Sequence, residues 1–163
     1  MAICAILEDF LRRQQISHRE LRHPQAFTGQ QLARALKMSD SAVVKSILLR
    51  ANDGHYVMAL LPAALRIDRE RLRQVVGAKK LRLASEEDLQ TLFPKCEVGA
   101  MCPFSALCSM SLPVYAERSL GEDGLVVLHA GQHTTAVQIS YADLQRLLQP
   151  TIASFGVPVA EAP

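Results

Sequence analysis

Residues 42–61 constrain the fold of this chain more than any other stretch. Val43, Val44, Ile47, Leu48 and Leu49 lead into the turn-forming triplet Asn52, Asp53 and Gly54, and an apolar run from Tyr56 to Leu61 follows before Pro62 ends it. Two strand-like segments joined by residues that tolerate a tight reversal predict an antiparallel β-hairpin. A hairpin this apolar needs cover, and the flanking sequence supplies helices. Ile3, Ile6, Leu7, Phe10 and Leu11 recur at three-and-four spacing with Glu8, Asp9, Arg12 and Arg13 opposite, which predicts a first amphipathic helix. Thr28 and Gln31 form a capping-box pattern ahead of Leu32 and Leu36, predicting a second, short helix.

Further along, Asp68 precedes a helical stripe of Leu72, Val75 and Val76 that ends at Gly77, and residues 79–83 suggest a short strand. Ser85 caps a fourth helix carrying Leu89 and Leu92, stopped by Pro94. Residues 112–116, 125–130 and 134–139 are predicted strands, the last two joined tightly through Gly131, Gln132 and His133. Ser140 and Asp143 open a final helix with Leu144, Leu147 and Leu148, ended by Pro150. Helices interleaved with hairpins, without regular strand–helix alternation, predict an α+β domain on a mixed, largely antiparallel sheet. The expected organisation is one domain over residues 1–150 and a partly flexible tail over 151–163, where no period is visible.

Composition narrows the function classes. A chain of 163 residues with 49% hydrophobic content can bury one good core. Met1 to Leu11 lacks the pattern of a secretory signal, no stretch has the length of an apolar membrane span, and a cytoplasmic location is expected. The cysteines, Cys4, Cys96, Cys102 and Cys108, have neither the paired spacing of a zinc site nor the density of a disulfide scaffold, so reduced thiols and no metal are expected. The formal net charge is only +2, so contact with nucleic acid would have to come from a local patch. Basic residues gather around Arg12, Arg13, Arg19, Arg22 and His23, and again at Arg66, Arg69, Arg71, Arg73, Lys79, Lys80 and Arg82. Nearby carboxylates make a solvated helix face an equal alternative to a phosphate-binding surface.

Two features point to chemistry. Lys45 shares its predicted strand face with Val43, Ile47 and Leu49, so its ammonium starts from the core side of the sheet. It must snorkel to solvent or stand at a cavity wall as a cation for a phosphate, a carboxylate or a developing oxyanion. The loop Gly99, Ala100, Met101, Cys102, Pro103, followed by Phe104, combines a residue that permits close backbone approach with one that limits conformations. Such a loop can aim amide N–H groups at an anion or an ester carbonyl, although most sequences of this type are ordinary turns. His129, Gly131 and His133 fall where two strands meet and could reach the same pocket mouth. Cys102 has no histidine at a spacing that identifies a partner, which favours an inert thiol over a nucleophile.

The strand Ala42-Val-Val-Lys45-Ser-Ile-Leu-Leu49, the segment Val76-Gly-Ala-Lys-Lys-Leu81, the run Cys96-Glu-Val-Gly-Ala-Met-Cys-Pro-Phe104 and the stretch from His129 to Val137 together resemble the YbaK and ProX type of protein, which is related to the editing domain inserted in bacterial prolyl-tRNA synthetases. The likeness runs from Phe10 to Pro150, and His23 and Pro24 before Thr28 look like its entry to the second helix. The resemblance implies a barrel-like sheet surrounded by helices. It implies a hydrolase without cofactor that removes a small amino acid of the alanine, serine, threonine or cysteine class from mischarged tRNA, with a synthetase as a further partner. It places Lys45, Gly99 and Pro103, with the intervening Ala100, Met101 and Cys102, in the catalytic set. Thr28, Ser46, Phe104, His129, Gly131 and His133 are expected around the substrate. Some alanine-specific members carry a histidine where this chain has Gly131, so their substrate choice does not transfer. A catalytically silent module that recognises an aminoacyl or nucleotide end is the alternative.

Overall fold

The computed structural model describes residues 5–159. Ile3 of the expected first helix, and Cys4, lie outside the described residues. The elements in chain order are α1 (Ala5–Arg13), β1 (Arg19–Arg22), α2 (Gly29–Ala35), β2 (Val44–Ala51), β3 (Tyr56–Pro62), β4 (Leu65–Ile67), α3 (Arg69–Val76), β5 (Leu81–Leu83), α4 (Glu86–Leu92), a 3-10 turn at Ser105–Leu107, β6 (Val114–Glu117), β7 (Leu125–His129), β8 (Thr135–Ser140), α5 (Tyr141–Leu148), β9 (Thr151–Ala153) and β10 (Gly156–Pro158).

The hairpin forms as expected: β2 and β3 pair antiparallel from Val44 opposite Pro62 to Arg50 opposite Tyr56. Gly54 sits in the turn with φ +91°, a conformation that favours glycine. This pair is the centre of a five-stranded sheet ordered β5-β2-β3-β6-β9, in which β6 runs parallel to both β3 and β9. A second sheet, β1-β8-β7, is antiparallel throughout, and β4 pairs with β10 as a separate two-stranded ribbon.

The α+β class with mixed, largely antiparallel pairing is therefore the observed one, but the sheet does not close into a barrel. Among the described residues the two larger sheets are bridged at one parallel pair, Val43 with Val127, reinforced by the Val127 amide donating to the Ala42 carbonyl at 3.0 Å. Beyond that point β2 pairs with β3 along its length and with β5 only over Leu49–Ala51, and no ladder joins it to β7 among the described residues.

The helix starts follow their caps. The Thr28 hydroxyl accepts from the Gln31 amide, while the Gln31 side chain reaches one residue further back than a capping box requires and accepts from the Phe27 amide at 2.8 Å. Ser85 and Asp88 complete a reciprocal box on α4, and Asp68 and Ser140 cap α3 and α5. Gly77 ends α3 in the left-handed conformation.

Within the expected tail, residues 151–158 carry two short strands. The β9 strand lies beside β6, β10 lies beside β4, and Phe155 between them is wholly buried. Glu117, itself buried, accepts from the amides of Phe155 and Gly156, both at 2.7 Å. A carboxylate held by two amides is a strong, charge-assisted anchor.

Three apolar clusters make up the interior. The largest gathers Leu7 and Leu11 of α1, Leu48, Met58 and Leu60 of the hairpin, and Phe93 and Phe104. A small one joins Leu32 and Ala33 of α2 to Val43, Ala63 and Val127, and it fixes α2 across the seam between the two larger sheets. The third packs Leu49, Val57, Ala59 and Leu61 on Leu72 and Phe155. Among the described residues no helix is long and apolar enough to cross a membrane.

Candidate functional site

Where α2 starts, β2 starts and the Gly99 loop passes, a cavity of about 220 Å³ opens, lined by Phe27, Thr28 and Gly29, by Val44 to Ile47, and by Gly99, Met101 and His129. Six of the expected residues thus surround one space: Lys45, Ser46, Thr28, Gly99, Met101 and His129.

Lys45 stands opposite Leu61 in the β2–β3 ladder. Its stem leaves the sheet past Gly29, where any Cβ would come within 2.8 Å of the lysine Cγ and 2.9 Å of the Ala63 Cβ. Gly29 is therefore what lets the lysine stem lie under the start of α2, and no sequence pattern marked it beyond its place after the Thr28 cap. Burial pushes the Lys45 pKa below the ordinary lysine value, and the Asp40 carboxylate partly offsets that. A half-buried cation with no ion-pair partner within 4 Å among the described residues is electrostatically unfinished, and an anionic group arriving in the cavity would complete it.

The loop supplies donors from its backbone. Gly99 adopts φ +88°, and a Cβ there would lie 3.5 Å from the His133 ring. The Ala100 amide donates back to the Glu97 carbonyl at 3.0 Å, whereas the amides of Gly99 and Met101 on either side of it have no partner among the described residues. Unpaired N–H groups on a loop at a cavity are the raw material of an oxyanion-binding site.

The structure moves the other expected residues behind the wall. Ala100, Cys102 and Phe104 are fully buried, Cys102 and Phe104 within the main apolar cluster, because the loop turns inward after Met101 to pack beneath α1. Pro103 lines a separate groove with Phe10 and Leu148. Gly131 faces the Cys96 thiol and uses its amide on the Ala100 carbonyl, so it braces the loop without reaching the cavity.

His133 also lies behind the loop. Its ring nitrogens stand 3.1 Å from the Ala26 carbonyl and 2.8 Å from the Val98 carbonyl. The neutral ring donates to one of them and the protonated ring to both. Either way it ties the Gly99 loop to the connector before α2. The exposed Phe27 ring rests against it, centroids 4.7 Å apart, at the rim of the cavity.

His129 is the polar group with the least explained surroundings. It is buried, lines the cavity, and neither ring nitrogen has a hydrogen-bond partner among the described residues. His133 and His23 stand edge-on to it with centroids 6.1 and 6.5 Å away. Burial first, and then these two imidazoles, push its pKa down to about 4, so the ring is neutral at pH 7 and offers one acceptor and one donor. The clustering of His23 with His129 and His133 was not visible in the sequence, since it depends on β1 pairing with β8, and β1 is a four-residue strand with no apolar pattern. Among the described residues no group of three or more His, Cys, Asp or Glu side chains is placed to hold a metal ion.

Comparison with known proteins identifies the family. Residues 23–147 match the family described as the aminoacyl-tRNA editing domain. The prolyl-tRNA editing protein ProX of Acetoanaerobium sticklandii is 26% identical over 138 residues, covering 82% of this chain and 83% of that protein. A proline–tRNA ligase of Solidesulfovibrio magneticus is 31% identical over 135 residues, which are 76% of this chain and only 22% of the ligase. A solved structure described as a candidate trans-editing enzyme for prolyl-tRNA synthetase superposes with a TM-score of 0.81 at 19% identity, covering 93% of this chain and 95% of that one, and shares its fold.

Proposed function

The chain belongs to the aminoacyl-tRNA editing domain family, and from that premise we propose that it is a deacylase that hydrolyses the ester between a small amino acid and the 3′-terminal adenosine of a mischarged tRNA. The single observation that carries this reading is the meeting of an unpaired lysine, two unpaired loop amides and a neutral, unpartnered imidazole around one cavity of about 220 Å³. That volume is below the roughly 300–1,000 Å³ of clefts that enclose whole drug-sized ligands, so it suits a short acyl group with the nucleotide outside. Alanine, serine, threonine and cysteine esters fit within this volume.

Water is the nucleophile in this mechanism. As it attacks, the carbonyl oxygen gains negative charge, and the amides of Gly99 and Met101 with the Lys45 ammonium are the groups available to hold it. One such donor contributes about 3 kcal/mol to a barrier of this kind. His129 is too weak a base at a pKa of about 4 to carry the proton at neutral pH, which gives it a positioning role as acceptor for the water or for the substrate amine. The vicinal ribose hydroxyl of the substrate can take part in the proton transfer. Cys102 takes no part, being fully buried in the apolar cluster.

The test is a panel of tRNAs charged with alanine, serine, threonine, cysteine and proline. Release of a small amino acid by the wild-type chain, lost in Lys45→Ala and kept in Cys102→Ser, is the expected result. Tight binding of the charged ends without turnover would instead make the chain a recognition module.

A further inference from the structure

The rings of His23, His129 and His133 cluster at the inner side of the Lys45 cavity, and only some of their nitrogens are paired. The Nδ1 of His23 stands 2.7 Å from the Pro24 carbonyl, and the two nitrogens of His133 stand 3.1 Å from the Ala26 carbonyl and 2.8 Å from the Val98 carbonyl. The remaining nitrogens, Nε2 of His23 and both of His129, are buried and have no hydrogen-bond partner among the described residues. His23 is 8% exposed and His129 7%, so bulk solvent does not pair them. Buried polar atoms in native proteins are nearly always hydrogen-bonded, to protein or to ordered water, and orphans gathered in one place point to a bound group.

The sheet holds these rings in place. Leu21 of β1 and His129 of β7 flank Ala136 of β8, and the His23 amide, two residues past Leu21, donates to the Thr134 carbonyl at 3.0 Å. Residues two apart along extended backbone share a face, which brings the His23 and His129 rings edge-on with centroids 6.5 Å apart. A carbonyl oxygen only accepts, so Nδ1 of His23 carries the proton it donates to Pro24, and Nε2 of the neutral ring is left as an acceptor. His129 is neutral at pH 7 and has one N–H and one lone pair to place. His133 cannot serve it, because both of its nitrogens already face carbonyls. The His23 and His129 rings are too far apart for a direct bond, and their separation suits one water with a bond of roughly 2.9 Å to each.

Resting on the deacylase reading above, we infer that His23 is a positioning residue for His129, and that one ordered water held between the two rings carries the link. The water donates to Nε2 of His23 and accepts from the N–H of His129. Every bond in the chain then runs towards the Pro24 carbonyl, an arrangement in which successive hydrogen bonds polarise and strengthen one another. The nitrogen that His129 turns to the cavity is consequently its lone-pair nitrogen. It accepts from the attacking water or from the substrate amine, and it does so in one tautomer only. An apolar side chain in place of His23 would leave the His129 N–H without a partner and remove the reason for that tautomer.

The experiment reads the tautomer of His129 by nitrogen-15 NMR of histidine-labelled protein at pH 7, and the water by a high-resolution crystal structure, beside the mischarged-tRNA panel. In the wild-type chain we expect a single His129 tautomer and a water within hydrogen-bond distance of both rings. In His23→Leu we expect the water to be lost, both tautomers to be populated, and kcat to fall on the order of tenfold with KM within about twofold. His23→Gln, whose amide oxygen can accept in place of Nε2, restores the single tautomer and most of kcat. His55→Gln, exposed at the hairpin turn, is the control and changes neither. Circular dichroism melts establish that each variant is folded, and the wild-type measurements decide the matter even where His23→Leu is not. The link is refuted if wild-type His129 is a mixture of tautomers, if no water lies between the rings, or if folded His23→Leu keeps the single tautomer and the wild-type kcat. A single tautomer and a bridging water in a chain that releases no amino acid from any charged tRNA leave the link standing and remove the deacylase reading. Hydrolysis that is unchanged in His23→Leu does the reverse.

Discussion

Replacing Gly29 with alanine tests the link between packing and chemistry most directly. The added methyl would lie 2.8 Å from Lys45 Cγ and 2.9 Å from Ala63 Cβ. Carbon atoms pack best from about 3.5 Å outward, so the overlap is about 0.7 Å on one side and 0.6 Å on the other. Ala63 is fully buried and its amide is bonded to the Val43 carbonyl at 2.8 Å, so it cannot retreat. Either α2 lifts or the lysine stem changes rotamer. Overpacking of this size costs about 1–3 kcal/mol, and the better helix propensity of alanine returns at most about 1 kcal/mol. The expected net loss of about 1–2 kcal/mol lowers Tm by about 2–8 °C in a chain of this length. Deacylation falls much further, on the order of 100-fold in kcat/KM, because the ammonium is displaced by something like 1 Å. Differential scanning calorimetry and a single-turnover hydrolysis assay on the same preparation give both numbers. A Gly29→Ala protein that melts at or above the wild-type temperature with full activity would refute the argument that this glycine exists to pass the lysine.

Other substitutions separate the remaining parts of the structure. Lys45→Met keeps the stem and removes a charge that burial disfavours, so stability should hold or rise by up to ~1 kcal/mol while kcat drops about 10²–10³-fold in the hydrolysis assay. His129 titrates near pH 4 when folded and near 6.5 when unfolded, so the unfolded chain gains a proton first and stability declines as pH falls from 6.5 towards 4. Between pH 7 and pH 4.5 the loss amounts to about 2 kcal/mol and should disappear in His129→Gln, measured by urea denaturation at those two pH values. Glu117→Ala leaves two backbone amides without their carboxylate and should cost about 2–4 kcal/mol in the same urea experiment, with faster proteolysis after residue 150.

What could be foreseen from the residues follows a physical line. Elements that carry their own signal were legible: the hairpin through its turn triplet, and α2, α3, α4 and α5 through their caps. The strands β1, β4, β9 and β10 are three or four residues long, and nothing in Arg19-Glu-Leu-Arg22 or Gly156-Val-Pro158 specifies extended backbone until a partner strand is present. The barrel implied by resemblance failed for a related reason, since closure depends on which edges remain unpaired. Within the site, Lys45 stood out because a charge among apolar strand residues must be accommodated. Gly99 stood out for its backbone. Side-chain direction inside the loop does not show in the sequence: Phe104 is expected beside the substrate and the chain turns it into the core, whereas the burial of the Cys102 thiol agrees with its reading as inert. Gly29 and the imidazole cluster were invisible because each is defined by a neighbour distant in sequence.

The ribbon between β4 and β10 also bears on how the chain is made. Its two halves, ending at Ile67 and starting at Gly156, are synthesised 156 − 67 = 89 residues apart. At ribosomal speeds of 5–20 residues per second the first half waits roughly 5–20 s for the second. Throughout that interval the hollow that Phe155 will fill is open, with Leu61, Leu65 and Leu72 bare to solvent or to a chaperone. A protein cut short before residue 155 would keep that greasy socket for good, and should be recovered from cells chiefly in the insoluble fraction.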